Sequence, residues 1–314
     1  MKTLARREFL ASGSAMGAGL ALHSMAPSLL KAESMARPLG IQLYTVSAAL
    51  SADPHGTLEA IAKIGYQEAE TAGFAKLSAA EFRKALEVAG LACPSAHLSF
   101  SVADPEPLFA DAHAVGAHYV VSSVLIATAP TPTAQSSKED IQTFVRFLSG
   151  VTLDDFKRTA ELANRIGAKA KQAGLQYAYH NHNFEFKDQG GGKTGYDLLL
   201  AETDPDLVNF ELDCGWMVAS GHNPVDYFAK YPNRYRMIHV KDFQKGTSPT
   251  TTLFGPGAPK GTELGRGFID YGPIFAAATK AGVEHFFSEQ EPPIEGMTAL
   301  EAAKVNYDYM RTIG

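Results

Sequence analysis

From Pro38 to the C-terminus, eight short β-rich runs alternate with eight stretches of helical period. No other feature constrains the fold as strongly, because strand–helix alternation calls for parallel strands joined by crossover helices. The expected strands are Leu39–Val46, Tyr66–Glu70, Leu91–Phe100, His118–Ser122, Leu175–His180, Leu207–Asp213, Tyr235–Lys241 and Glu284–Glu289. The helices between them carry their own punctuation. Ser78 with Glu81 three residues on is a capping-box pattern, and Gly90 closes the same helix. Two long excursions are expected, a Thr/Pro/Ser/Ala-rich one over 127–150 and a glycine-rich one over 243–268. Eight strand–helix pairs fit one closed (β/α)8 TIM barrel of class α/β over residues 38–314. The alternative, a doubly wound open sheet, lacks the Gly-rich loop that follows a strand in dinucleotide- and phosphate-binding folds.

The first 32 residues have a different character. Arg6-Arg7-Glu8-Phe9-Leu10 precedes a mildly apolar stretch from Ala11 to Leu22, and small-residue exits follow at Ser24-Met25-Ala26 and Leu30-Lys31-Ala32. This resembles a twin-arginine signal peptide, which implies a protein that folds in the cytoplasm and works in the periplasm or beyond. An amphipathic first helix is the alternative. Without that segment the 28 basic and 34 acidic residues become 24 and 33, a net charge of −9. Such a surface repels phosphate backbones and argues against nucleic acid as a partner. No internal run has the ~18 apolar residues of a membrane span, so no membrane contact is expected after cleavage; homo-oligomers stay open. Cys93 and Cys214 lie in separate apolar runs and are expected as two buried thiols.

In parallel barrels, chemistry collects at the C-terminal ends of the strands. His97 closes the third expected strand, His180-Asn181-His182 with Glu185 the fifth, Asp213 the sixth, His239, Lys241 and Asp242 the seventh, and Glu289 with Glu291 the eighth. Strand alternation sends His180 and His182 to one side, and likewise His239 and Lys241. A single such histidine is more often a hydrogen-bonded core residue. Five clusters on one rim point instead to a divalent cation, since converging buried carboxylates are costly unless neutralised.

The stretches Tyr179–Phe186, Leu212–Gly215, Ile238–Asp242, Leu264–Asp270 and Ser288–Glu291 resemble the sugar phosphate isomerase/epimerase family, with its xylose isomerase-like barrel. That resemblance implies one metal ion, Mn²⁺ first and Mg²⁺, Co²⁺ or Zn²⁺ as alternatives. By position it implies Asp213, His239 and Glu289 as ligands. The strand-five ligand in the epimerases is a glutamate. Here the place is held by His180, with Glu185 five residues later, so His180 is expected on the metal and Glu185 at the substrate, the reverse assignment staying open.

The expected activity is metal-dependent isomerisation or epimerisation of a sugar, by proton abstraction next to a carbonyl through an enediolate. Glu185, Glu289 and Lys241 are the candidate catalytic groups. His97, His182, Trp216 and Arg266 are candidate substrate contacts, Trp216 as a stacking surface or as core, Arg266 on a mobile loop or as a solvated charge. Two alternatives remain: a metal-dependent lyase or dehydratase on keto-sugars or keto-glycosides, and a non-catalytic carbohydrate- or metal-binding barrel. A related endonuclease branch fits poorly with the −9 charge.

Overall fold

A computed structural model describes residues 37–100, 105–128 and 137–314 of the chain. The twin-arginine segment lies outside the described residues. Eight parallel strands form the barrel: β1 Leu39–Gln42, β2 Glu68–Glu70, β3 Ser95–His97, β4 Tyr119–Ser123, β5 Gln176–His180, β6 Val208–Asp213, β7 Tyr235–Val240 and β8 His285–Ser288. Their order around the sheet is β2-β1-β8-β7-β6-β5-β4-β3. Isolated parallel bridges, Glu68 with Ala92 and Thr71 with Ala96, carry β2 to the β3 segment and nearly close the ring. The fold is therefore the (β/α)8 barrel that the strand–helix alternation predicts.

The period of two sets up two inner layers. Tyr119, Val121, Ala178, Met237 and Phe287 form an apolar plug inside the barrel. Two residues further along their strands, Ala178, Met237 and Phe287 give way to His180, His239 and Glu289, all buried. The plug thus serves as the floor beneath a polar layer at the C-terminal rim. The larger apolar core lies outside the strands, where residues such as Val120, Phe210, Ile238 and Phe286 are buried with the helices.

Several elements differ from the sequence expectation. The first strand stops at Gln42, where the backbone turns into a short 3-10 turn over Leu43–Val46 and a helix over Ser47–Ala52. The third strand is three residues long, Pro94 being unable to donate to a ladder. The excursion over 127–150 contains a helix, Lys138–Ser149, started by a capping box of Ser137 with Asp140. Directly after β6 a short helix, Cys214–Ala219, begins with Asp213 as its N-cap, so Cys214 is helical rather than in a strand. Both cysteines are free and buried, as expected. The glycine-rich loop folds back as a ribbon pairing Asp242–Phe243 with Gly261–Thr262. No helix among the described residues is long and apolar enough to cross a membrane.

Asp242 organises that loop. Its carboxylate accepts hydrogen bonds from the backbone N–H groups of Phe243, Gly265, Gly267 and Ile269. A Cβ on Gly267 would stand 2.0 Å from Asp242 Oδ1, so only glycine lets the loop close on the carboxylate. Gly215 meets the same demand at the rim, where a Cβ would fall 2.3 Å from Lys241 Cγ.

Candidate metal centre

Three donor atoms converge above the plug, from Asp213, His239 and Glu289, and a fourth, His180 Nε2, approaches one of them. Asp213 Oδ2 lies 3.9 Å from His239 Nδ1 and 3.8 Å from His180 Nε2. Glu289 Oε2 lies 2.9 Å from His239 Nδ1. Each atom comes from the end of a different strand, β5 to β8, and the four side chains are buried. Asp213, His239 and Glu289 satisfy the proximity that a shared ion requires.

The far side of each imidazole is also fixed. His180 Nδ1 is 2.9 Å from Glu211 Oε2, and His239 Nε2 is 2.6 Å from Glu70 Oε2. His97 Nε2 stands between these carboxylates, 2.7 Å from Glu211 and 3.2 Å from Glu70. Gln42 Nε2 donates to Glu70 at 2.7 Å, and Ser95 Oγ donates to its other oxygen. Imidazoles that bind a metal through one nitrogen characteristically give the other to a carboxylate, which fixes tautomer and ring orientation. Here that happens twice, with opposite ring nitrogens facing the centre.

His97, His180, Glu211 and His239 form a second group close enough to share an ion. In that group Glu211 Oε2 is engaged by both His97 and His180, while its Oε1 is buried without a hydrogen-bond partner. In the upper group Asp213 Oδ2 is buried without a hydrogen-bond donor, its nearest charge being the Lys241 ammonium at 2.9 Å. An acceptor left in that state is costly. The donor set of two carboxylates and an imidazole fits a divalent cation at the upper position, with Glu70, His97 and Glu211 as its support.

Electrostatics follow the same division. Burial disfavours charge on Glu70 and Glu289, yet neighbouring cations hold both well below the usual carboxylate range, His97 and His239 for the first and Lys241 and His239 for the second. Burial opposes a charge on His97 as well, but Glu70 and Glu211 push it up to about 10. His239 is raised well above the normal imidazole range by Glu211, Glu289 and Glu70, against its burial. His180, by contrast, is held neutral by burial and by the charge of His239. Burial raises Asp213 to about 6, with Lys241 and His239 pulling the other way.

Lys241 and Trp216 complete the rim. The ammonium also lies 2.6 Å from Glu289 Oε2 and 2.8 Å from Glu291 Oε1. The Trp216 indole N–H donates to Glu291 at 3.1 Å, and the ammonium sits 5.2 Å from the ring centroid. His182 lines a cavity beside the centre, and its Nδ1 is buried without a partner. Burial, then the charge of Lys241, pushes it down to about 3, so it is a neutral imidazole at working pH.

Two expected residues stand elsewhere. Glu185 lines neither cavity at the rim. Its place in the 3-10 turn Phe184–Phe186 directs it inward, where it accepts from the Tyr179 hydroxyl at 3.1 Å and the His182 N–H at 3.0 Å. Burial raises it to about 8, against those hydrogen bonds, so it acts as a largely protonated brace under His182. Arg266 points into solvent and pairs with Glu263 at 3.0 Å, a solvated loop charge rather than a substrate contact.

Glu70, Glu211 and Gln42 were absent from the expectation. Glu211 precedes Asp213 by two, on the same strand face, and alternation alone carries that signal. Replacing Glu211 or Glu70 by Gln is expected to weaken metal affinity by about 10- to 100-fold with little change in fold, as for other carboxylates that orient metal-bound imidazoles. Titration of each variant with Co²⁺ against the parent protein measures this; unchanged affinity would contradict the supporting role.

A model of the xylose isomerase-like TIM barrel family matches residues 58–312. An inosose dehydratase from Lacticaseibacillus casei is 32% identical over 153 residues, which cover 45% of this chain and 49% of that protein. The match therefore spans about half the length of that relative. A sugar phosphate isomerase/epimerase structure from Parabacteroides distasonis superposes with a TM-score of 0.65 at 25% identity, covering 91% of this chain and 97% of that one. A xylose isomerase-like TIM barrel protein from Mycobacterium smegmatis, in complex with magnesium, gives a TM-score of 0.57 at 18% identity, covering 88% and 96%. At that identity the likeness concerns the fold.

Proposed function

The chain belongs to the xylose isomerase-like TIM barrel family, and on that premise we propose that it is a divalent-metal-dependent isomerase or epimerase of sugars. The reading rests on one observation above all: Asp213, His239 and Glu289 bring donor atoms to a common point, His180 Nε2 lies 3.8 Å from Asp213, and the far nitrogens of both imidazoles are fixed by Glu211 and Glu70. Metal binding gives both imidazoles a use for that orientation.

Such an ion, when bound, would supply Lewis acidity to a substrate carbonyl and its neighbouring hydroxyl. The chain's own groups divide the remaining work. Glu289 reaches the cavity and is ionised at neutral pH, so it can accept a proton from the carbon next to the carbonyl. The contacts that keep it ionised also weaken it as a base, which makes acidification of the carbon essential. Lys241 holds a fixed positive charge beside Glu289, where negative charge develops on the substrate as an enediolate forms. Neutral His182 lines the same cavity and adds no charge to it. Mn²⁺ remains the favoured ion, with Mg²⁺, Co²⁺ or Zn²⁺ as alternatives, and the N-terminal segment supports export by the twin-arginine route.

One observation favours a second reading, a lyase or dehydratase on keto-sugars. With Glu185 turned away, β5 and the turn after it present no carboxylate to the cavity opposite Glu289. Elimination needs one base and a protonated leaving group, whereas epimerisation needs an acid on the other face of the carbon. Incubation of metal-loaded protein with a keto-sugar panel in ²H₂O separates them. Deuterium incorporated at the α-carbon without loss of water supports the isomerase/epimerase; an unsaturated or deoxygenated product supports the lyase. Absence of both proton exchange and elimination with every keto-sugar of the panel would overturn both readings.

A further inference from the structure

Among the described residues, two adjoining cavities open on the rim. The first, about 480 Å³, is lined by His97, His180, His182 and Glu289 together with Phe100 and Leu125. The second, about 390 Å³, is lined by Lys241, Trp216, Phe243, Leu253, Gln290 and Pro293. Either lies within the usual range for a small-molecule pocket, about 300–1,000 Å³. Their shared wall consists of Tyr44, Phe254 and Glu291, which line both.

That wall is unusual in its exposure. Four large hydrophobic side chains are exposed among the described residues, and two of them, Tyr44 at 48% and Phe254 at 47%, stand on it. Aromatic faces left to water at the mouth of a polar site are a cost that bound ligand can recover. The second cavity offers the exposed aromatic faces of Tyr44 and Phe254 together with the Glu291 carboxylate, a polar group that can reach hydroxyls at a ring's edge. Apolar faces with polar edges are what a pyranose presents in return. A single sugar held at the donor atoms of the first cavity leaves the second unfilled.

We propose that the substrate carries two linked sugar rings, the reacting ring in the His97–His180–Glu289 cavity and the other in the cavity of Leu253 and Pro293, against the exposed faces of Tyr44 and Phe254. This rests on the carbohydrate reading above and narrows it from monosaccharides to glycosides. Ring-to-ring contact then supplies binding energy remote from the chemistry, which positions the reacting carbon.

Calorimetric titration of metal-loaded protein with methyl glucoside, methyl cellobioside and methyl maltoside tests it, because locked anomeric carbons prevent turnover. At least one two-ring ligand is expected to bind about tenfold or more tightly than methyl glucoside. Phe254→Ala should weaken the two-ring ligand far more than methyl glucoside, because the side chain borders both cavities. Trp216, the sole tryptophan of the chain, should change its fluorescence with the two-ring ligand only. Two-ring ligands that bind no more tightly than methyl glucoside, or a Phe254→Ala variant that weakens both alike, would overturn the proposal. Proton exchange is read separately: tight two-ring binding without exchange would sink the enzymatic reading alone, and exchange without a two-ring preference would sink only this one.

Discussion

Replacing Asp213 by asparagine is expected to remove metal binding and turnover together while leaving the barrel folded. Asparagine can still cap the Cys214–Ala219 helix, where Asp213 Oδ1 accepts the Trp216 N–H at 2.8 Å. The buried anionic ligand is lost outright. Breaking a buried charge pairing costs about 3–5 kcal/mol, or roughly two to three and a half orders of magnitude in affinity. The pH dependence has a definite sign. In the metal-free protein the neighbouring carboxylates hold His239 protonated at neutral pH, so an ion that takes Nδ1 must release that proton. Asp213, pushed up to about 6, adds a second proton below that pH. Apparent metal affinity should therefore fall as pH drops, more steeply below about 6. Titrations in buffers of different ionisation enthalpy count the protons; pH-independent affinity would contradict the ligand set.

Lys241→Met is expected to move stability and metal affinity in opposite directions. In the parent protein the ammonium is the cation nearest Asp213, Glu289 and Glu291. Removing it leaves three carboxylates around a buried volume and should destabilise the metal-free protein by about 3–5 kcal/mol. The same change removes a positive charge beside the ion, so the metal should bind more tightly and recover much of the lost stability. Turnover should still fall, by about 10²–10³-fold, as for other lost stabilisers of developing charge. Thermal unfolding with and without metal resolves the two effects. A variant that loses metal affinity along with stability would show that Lys241 braces the rim structurally instead.

Much of this site was legible because it lies on strands. The two-residue period places His180 with His182 and His239 with Lys241, and the rim rule for parallel barrels picks out Asp213 and Glu289. The same period should have exposed Glu211, two residues before Asp213, and Glu70 at the end of β2. Both are buried acids with no sequence motif of their own, and their partners, His180, His239 and His97, come from other strands. Glu185 and Arg266 fail for the complementary reason. They sit in a 3-10 turn and a loop, where neither alternation nor helical period dictates side-chain direction. The helix in the 127–150 excursion was obscured by the Thr/Pro-rich run before it, although the Ser137–Asp140 cap marks its start. Which face each imidazole turns to the centre is set by tertiary hydrogen bonds and had no local signature.

The most direct test is the metal content of the folded protein. Elemental analysis of protein purified without chelator, followed by equilibrium titration of chelator-treated protein, is expected to give one divalent ion per chain. That ion should be lost on Asp213→Asn and retained on Arg266→Ala, whose guanidinium stands apart from the centre. A chain that purifies without an ion and takes up none on titration, with its fold intact, would contradict the assignment of His180, Asp213, His239 and Glu289 as a metal centre.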